Sequence, residues 1–202
     1  MNRQQRDDRD QARWVRSGLK VWRSATPIQR QHGGNWYPQR ANDLIADMMT
    51  ASGGVLNRAQ CATIIAGYSA RMTWSENIEA AMQAARYVTG DTDLRGHTLG
   101  VRTALFAIAH PQRPTDVLPH WPDGTPRKTW SFAQAILGNT DAVTIDVWMR
   151  RVFEQANAGD DNVTQRETRV MSAAVRRIAE IVNWYPREVQ ATLWIVQRGA
   201  AD

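Results

Sequence analysis

The chain has 202 residues, 43% of them apolar, enough for one compact unit with a real core. Its net charge of +5 and sequence pI near 10.0 favour a polyanionic partner. A lone cysteine, Cys61, excludes an internal disulfide, no apolar run nears the ~20 residues of a membrane span, and the opening MNRQQRDDRDQ lacks the apolar core of a signal peptide, so a cytoplasmic protein is expected.

In the first 35 residues Trp14, Val15, Leu19, Val21 and Trp22 recur at helical spacing after an arginine-rich start whose first ten residues are expected to fray. Pro27 and the Gln31-His32-Gly33-Gly34 run mark a loop. From Asn42 the periodicity is helical again: Leu44, Ile45, Met48 and Met49 share a face, Gly53-Gly54 interrupt, and Cys61, Ile64, Ile65 and Tyr68 form the next apolar stripe. An alanine-rich helix spans Ile78 to Val88, and another runs from Leu99 to Ala109 with Val101, Leu105, Phe106 and Ile108 inward. Thr115 to Leu118 reads as a short helix, Thr168 to Asn183 as a long amphipathic one, and Pro186 opens the last. No strand-like alternation or repeat is present. The expected fold class is therefore all-α, one domain over 1–202 with roughly ten helices.

The most informative stretch is Asp123 to Phe153. A turn at Asp123-Gly124 leads into Thr125-Pro126, where Thr suits a cap and Pro a first helical position, and a helix follows from Arg127 to Leu137. Gly138 stops it, a loop covers Asn139 to Thr144, and Asp146 stands at the head of a second helix beginning at Val147. Of the 25 basic residues only Lys20 and Lys128 are lysine. A guanidinium stays charged, whereas a neutral amine can attack carbon, so Lys128 places at a helix start a reactive group that the arginines do not offer. It sits in a first helical turn, where the macrodipole opposes cations by ~0.3–1 kcal/mol, and phosphate binding there is the competing reason for it. Asp146 is a candidate carboxylate and equally a candidate N-cap; one residue can be both. His32, His97, His110 and His120 show no metal-ligand spacing, so neither metal nor cofactor is expected.

Gly124-Thr125-Pro126-Arg127-Lys128-Thr129, a helix, Gly138, a short loop and the Val143-Thr144-Ile145-Asp146 step resemble the helix-hairpin-helix base-excision DNA glycosylases of the endonuclease III type, the HhH-GPD family. There a hairpin precedes an Arg-Lys-Thr run and an aspartate follows the lysine at this same spacing. The resemblance implies that Lys128 is the nucleophile and Asp146 the catalytic aspartate of a glycosylase with abasic-site lyase activity acting on double-stranded DNA as a monomer. It implies DNA contacts from Gly124, Thr125, Arg127, Arg150 and Arg151. Ile64 to Asn77 is similar to the family's wedge segment, which puts Arg71 into the base stack and Tyr68, Met72 and Trp74 at the base pocket.

It further implies two lobes: one over 44–137 with the hairpin at 119–127, the other built from 1–43 plus 139–202. Of the hairpin glycines this chain keeps Gly124, and Pro126 removes a backbone N–H that would face a phosphate. The single cysteine rules out the iron–sulfur cluster of many relatives. Cluster-free members occur in bacteriophages and actinobacteria, and an arginine-heavy composition fits a GC-rich genome. The competing expectations are a non-catalytic DNA-binding protein, a nucleotide- or base-modifying enzyme on the same scaffold, or a helical adaptor for another protein.

Overall fold

The computed structural model describes residues 2–70, 72–154 and 163–199. Among them the chain forms ten α-helices and no strand: α1 Arg3–Ser24, α2 Pro27–Asn35, α3 Asn42–Ala51, α4 Arg58–Tyr68, α5 Trp74–Tyr87, α6 Thr98–Ala109, α7 Lys128–Ile136, α8 Val147–Glu154, α9 Gln165–Val182 and α10 Pro186–Arg198. Local chemistry sets most of the starts. Asn2, Thr26, Asn57, Thr73 and Thr164 each cap a helix reciprocally with the Gln or Glu three residues on. None of the helices is long and apolar enough to cross a membrane.

Two expectations about the N-terminal part are overturned. The first ten residues are not frayed: α1 begins at Arg3, and Asp7 and Asp10 are buried against α9. Arg166 bridges both carboxylates at 2.7 Å, and Arg169 also pairs with Asp7. The charge alternation that suggested a solvated start is one half of this clamp. Nor is the Pro27 to Gly34 stretch a loop. Pro27 occupies the first turn of α2, and Gly33 lies inside the helix because a side chain there has no room: a Cβ would stand 2.0 Å from Thr192 Oγ1 and 2.7 Å from Thr192 Cα. The chain then passes through a π-helical turn, Trp36–Ala41, directly into α3, the wide turn accommodating Pro38.

The buried side chains fall into two clusters. One is built from the π-helical turn through α7, with Ala142, Ala191 and Ile195 added. The other joins Trp14 and Trp22 of α1 to Val143, Ile145, α8, α9, Val189 and Leu193. Trp36, Tyr37 and Ala41, placed by the sequence reading with residues 1–43 in the second lobe, pack in the first cluster. The helix α10 faces both clusters, Ala191 and Ile195 on one side and Val189 and Leu193 on the other, and Trp194 touches both. Elsewhere α6 turns small residues inward, Gly100, Thr103, Ala104 and Ala107, and leaves Leu105, expected inside, 44% exposed. The reason is the close crossing with α4, where a Cβ on Gly67 would meet Thr103 at 2.5 Å and one on Gly100 would meet Tyr68 at 2.3 Å.

Gly33→Val will lower stability by about 1–3 kcal/mol, read by thermal denaturation, because the added branch meets the Thr192 backbone as well as its hydroxyl. In Thr192→Ala/Gly33→Val the loss persists, since removing the hydroxyl leaves the Thr192 backbone 2.7 Å from the added Cβ.

Asp7 is held below the usual carboxylate range, first by the hydrogen bond from Arg169. Its folded pKa is therefore lower than its unfolded one, so the pair stabilises fully above the ordinary carboxylate pKa and its contribution is lost as pH falls through the folded value. Asp7→Asn is expected to cost about 1–3 kcal/mol at neutral pH, and the wild-type advantage should shrink in acid when melting curves are compared from pH 7 downward.

Candidate active site

Between the two clusters lies a cleft of about 800 Å³, within the range of ligand sites. One wall comes from the end of α4, the start of α5, the hairpin and the start of α7. The other comes from residues 144–148, Thr168 and the α10 side chains Gln190, Ala191, Trp194 and Arg198. Both Lys128 and Asp146 line it.

Lys128 is the first residue of α7, and its Nζ donates to the carbonyl of Ser69 at 3.1 Å. Ser69 is the C-cap of α4, so the amine meets the negative end of one helix at the positive end of another. At its far end α7 is held by arginines: Arg58 donates to the Ile136 carbonyl at 3.1 Å and Arg187 to that of Ala135 at 3.2 Å. Gly138, with φ +106, then turns the chain away. The start differs from the sequence reading. Thr125 and Pro126 do not open the helix; they belong to a small hairpin in which His120 and Pro126 pair, and Arg127 is the cap residue without a side-chain capping bond. The short helix expected at Thr115 to Leu118 is the 3-10 helix Pro114–Val117, a single turn ahead of the hairpin.

Asp146 takes the capping place expected of it, at the head of α8. Its Oδ1 accepts from the Met149 N–H at 3.0 Å, an N-cap bond for α8, and its Oδ2 accepts from the Trp194 indole at 3.1 Å. The carboxylate is thus oriented by two donors from two different helices. Beside it the buried Tyr37 donates its hydroxyl to Gln190 Oε1 at 2.8 Å. Burial, with the Asp146 charge acting in the same direction, pushes that hydroxyl well up, so Tyr37 stays a neutral donor. The floor is aromatic: Trp36 packs on Tyr37 and Trp74 with centroids 4.8 Å apart in each pair and on Phe132 at 5.7 Å. Four polar atoms of lining residues, Trp36 Nε1, Asn77 Oδ1, Trp121 Nε1 and Thr144 Oγ1, are buried without a hydrogen-bond partner.

The other expected residues divide. Met72 and Trp74 line the cleft, as does Arg127, whose guanidinium stacks on Trp121 at 4.1 Å. Tyr68, expected at the base pocket, is instead fully buried between α4 and α6, its hydroxyl donating to the Arg95 carbonyl at 3.1 Å. The glycines at 96 and 100 leave the space its ring fills, which draws it away from the cleft. Arg150, expected on DNA, pairs with Glu167 at 3.1 Å with only 16% of its side chain exposed, joining α8 to α9. Arg151 stacks on Trp148 at 4.4 Å. Gly124 and Thr125 sit in the hairpin, outside the cleft lining. Arg71 lies outside the described residues.

The sequence reading missed Trp36, Tyr37, Phe132, Trp148, Gln190, Trp194 and Arg198 in the lining. A signal for them existed in the nine tryptophans of so short a chain, but their convergence is tertiary. Among the described residues no group of three or more His, Cys, Asp and Glu is arranged to hold a metal ion.

Asp146→Asn keeps one oxygen to cap the Met149 N–H but turns an amide N–H toward the Trp194 indole, so it should cost about 1 kcal/mol, while Asp146→Ala, which loses the cap as well, should cost about 2 kcal/mol. Comparing the two by thermal denaturation separates the capping role of this residue from any chemical one.

No curated protein and no solved structure gives a significant match to the chain. The model of a family of unknown function, DUF7178, matches residues 1–201, and the chain belongs to that family.

Proposed function

We propose that this protein excises a base from DNA and then cleaves the backbone at the resulting site. What supports the reading is one observation: the chain's scarce lysine and a doubly hydrogen-bonded aspartate, eighteen residues apart, line the same aromatic cleft. Breaking an N-glycosidic bond builds cationic character on the sugar, which the Asp146 carboxylate opposes without reorganising, because Met149 and Trp194 already hold it. The Lys128 amine then bonds to C1′ as the C1′–N bond breaks, its electron pair leaving with the base, which takes up a proton. Loss of the ammonium proton and opening of the sugar ring yield an imine. Removal of a C2′ proton with departure of the 3′ phosphate completes the strand break.

A nucleobase extruded into the cleft would lie among Trp36, Trp74 and Phe132. In this reading the protein works as a cytoplasmic monomer in a bacterial or phage-infected cell.

Borohydride reduction of an abasic-site oligonucleotide mixed with the protein is the direct test, since it converts the imine to a stable secondary amine. Wild type should give a covalent adduct and Lys128→Ala none. On a panel of oligonucleotides carrying different modified bases, Asp146→Asn should slow base release on the active substrate by about 10²-fold or more. Salt-dependent binding without an adduct would instead mark a non-catalytic DNA-binding protein, and neither adduct nor binding would point to a protein partner.

A further inference from the structure

The hairpin and the cleft rim together bear on which form of DNA reaches Lys128. A hairpin grips a duplex phosphate with free backbone N–H groups. Here several of those groups are spent inside the hairpin: Trp121 donates to the Thr125 carbonyl at 2.8 Å, Gly124 to that of Trp121 at 2.8 Å, and Arg127 to that of Pro119 at 3.3 Å. Thr125 donates to Asp123 Oδ1 at 2.9 Å, and Pro122 and Pro126 have no N–H at all. The exposed Asp123 adds a negative charge at the tip, where a phosphate would be repelled.

The cations are placed elsewhere, on tryptophans. Arg127 lies over Trp121 at 4.1 Å on the hairpin side of the cleft. Opposite, Arg198 lies over Trp194 at 4.7 Å and over Trp148 at 5.8 Å. All five residues line the cleft. A guanidinium stacked on an indole offers a plane on which a base can lie and donors for the adjoining phosphate. That plane is of use only to a base whose faces and edges are not already occupied in a double helix.

We propose that the cleft takes single-stranded DNA, with the nucleotides flanking the reacting one stacked on the Trp121–Arg127 and Trp148–Arg198 pairs and their phosphates held by Arg127 and Arg198. The identity of the reacting nucleotide's chemistry rests on the excision reading; the strand preference does not. An unpaired substrate also avoids the few kcal/mol that extruding a base from a duplex costs.

The test is fluorescence anisotropy with the full chain and a fluorescein-labelled mixed-sequence deoxyoligonucleotide, alone or annealed to its complement, across a salt series. Single-stranded binding should be tighter than duplex binding by on the order of tenfold or more. Arg127→Gln and Arg198→Gln should each reduce the slope of log affinity against log salt by about 0.7. Trp148→Ala should weaken single-strand binding on the order of tenfold, while Trp148→Phe, which keeps an aromatic plane in a fold checked by circular dichroism, should retain most of it. Equal or tighter duplex binding, or no binding to either form, overturns the proposal. Borohydride trapping on the same two forms carrying an abasic site keeps the readings apart. Single-strand binding with no adduct removes excision and leaves strand preference standing, whereas adduct formed faster on duplex removes strand preference and leaves excision standing.

Discussion

A single indole N–H ties the cleft carboxylate to the seam of the molecule. Trp194 donates to Asp146 Oδ2 from α10, the helix whose opposite faces pack into the two apolar clusters, and its ring touches both of them. Any relative movement of the clusters therefore acts on the direction of that carboxylate. The second donor, the Met149 N–H, belongs to α8, so the aspartate is fixed by two elements that must both be in place. A group held this way does not need to reorient when charge develops near it, which is the physical basis of electrostatic preorganisation.

Lys128 is held by an analogous arrangement on the opposite wall. The short helix α7 is pinned at its C-terminal carbonyls by Arg58 and Arg187, while its first residue reaches back to the end of α4. Eight of the described arginines do two kinds of work. Arg58, Arg150, Arg166, Arg169 and Arg187 brace helices against one another through carbonyls and buried carboxylates. Arg127, Arg151 and Arg198 stack on tryptophan near the cleft. The planar guanidinium suits both tasks, several donors in a fixed fork for the first and a flat face for the second, where an ammonium would suit neither as well. The positive net charge is thus only partly a statement about a polyanionic partner.

Close helix crossings set the frame on which these contacts depend. Gly33 against Thr192 brings α2 onto α10, and Gly67 against Thr103 brings α4 onto α6. The same compression that seats Tyr68 against Gly96 and Gly100 also turns Leu105 outward, because small residues, not large ones, occupy the contact face of α6. A rule that sends large apolar residues inward fails where two helices approach to backbone distance.

The sequence by itself determined the all-helical class, several helix ends, and the placing of Lys128 and Asp146 at the heads of two helices. These depend on short-range physics: a capping side chain three residues from its partner, an apolar stripe at helical period, a glycine where φ must be positive, a lysine where arginine is otherwise the rule. Only the tertiary structure decided which side chains share the cleft. Trp36, Tyr37, Trp148, Trp194 and Arg198 come from separated segments, and nothing in the local pattern around any of them says that it faces Asp146 and not a core. Likewise the pairing of Asp7 with Arg166 and Arg169, the passage of α2 through Gly33, and the burial of Tyr68 away from the site were settled by what each residue met across the fold. Local propensity constrains a residue's backbone, whereas its environment is supplied by partners far along the chain.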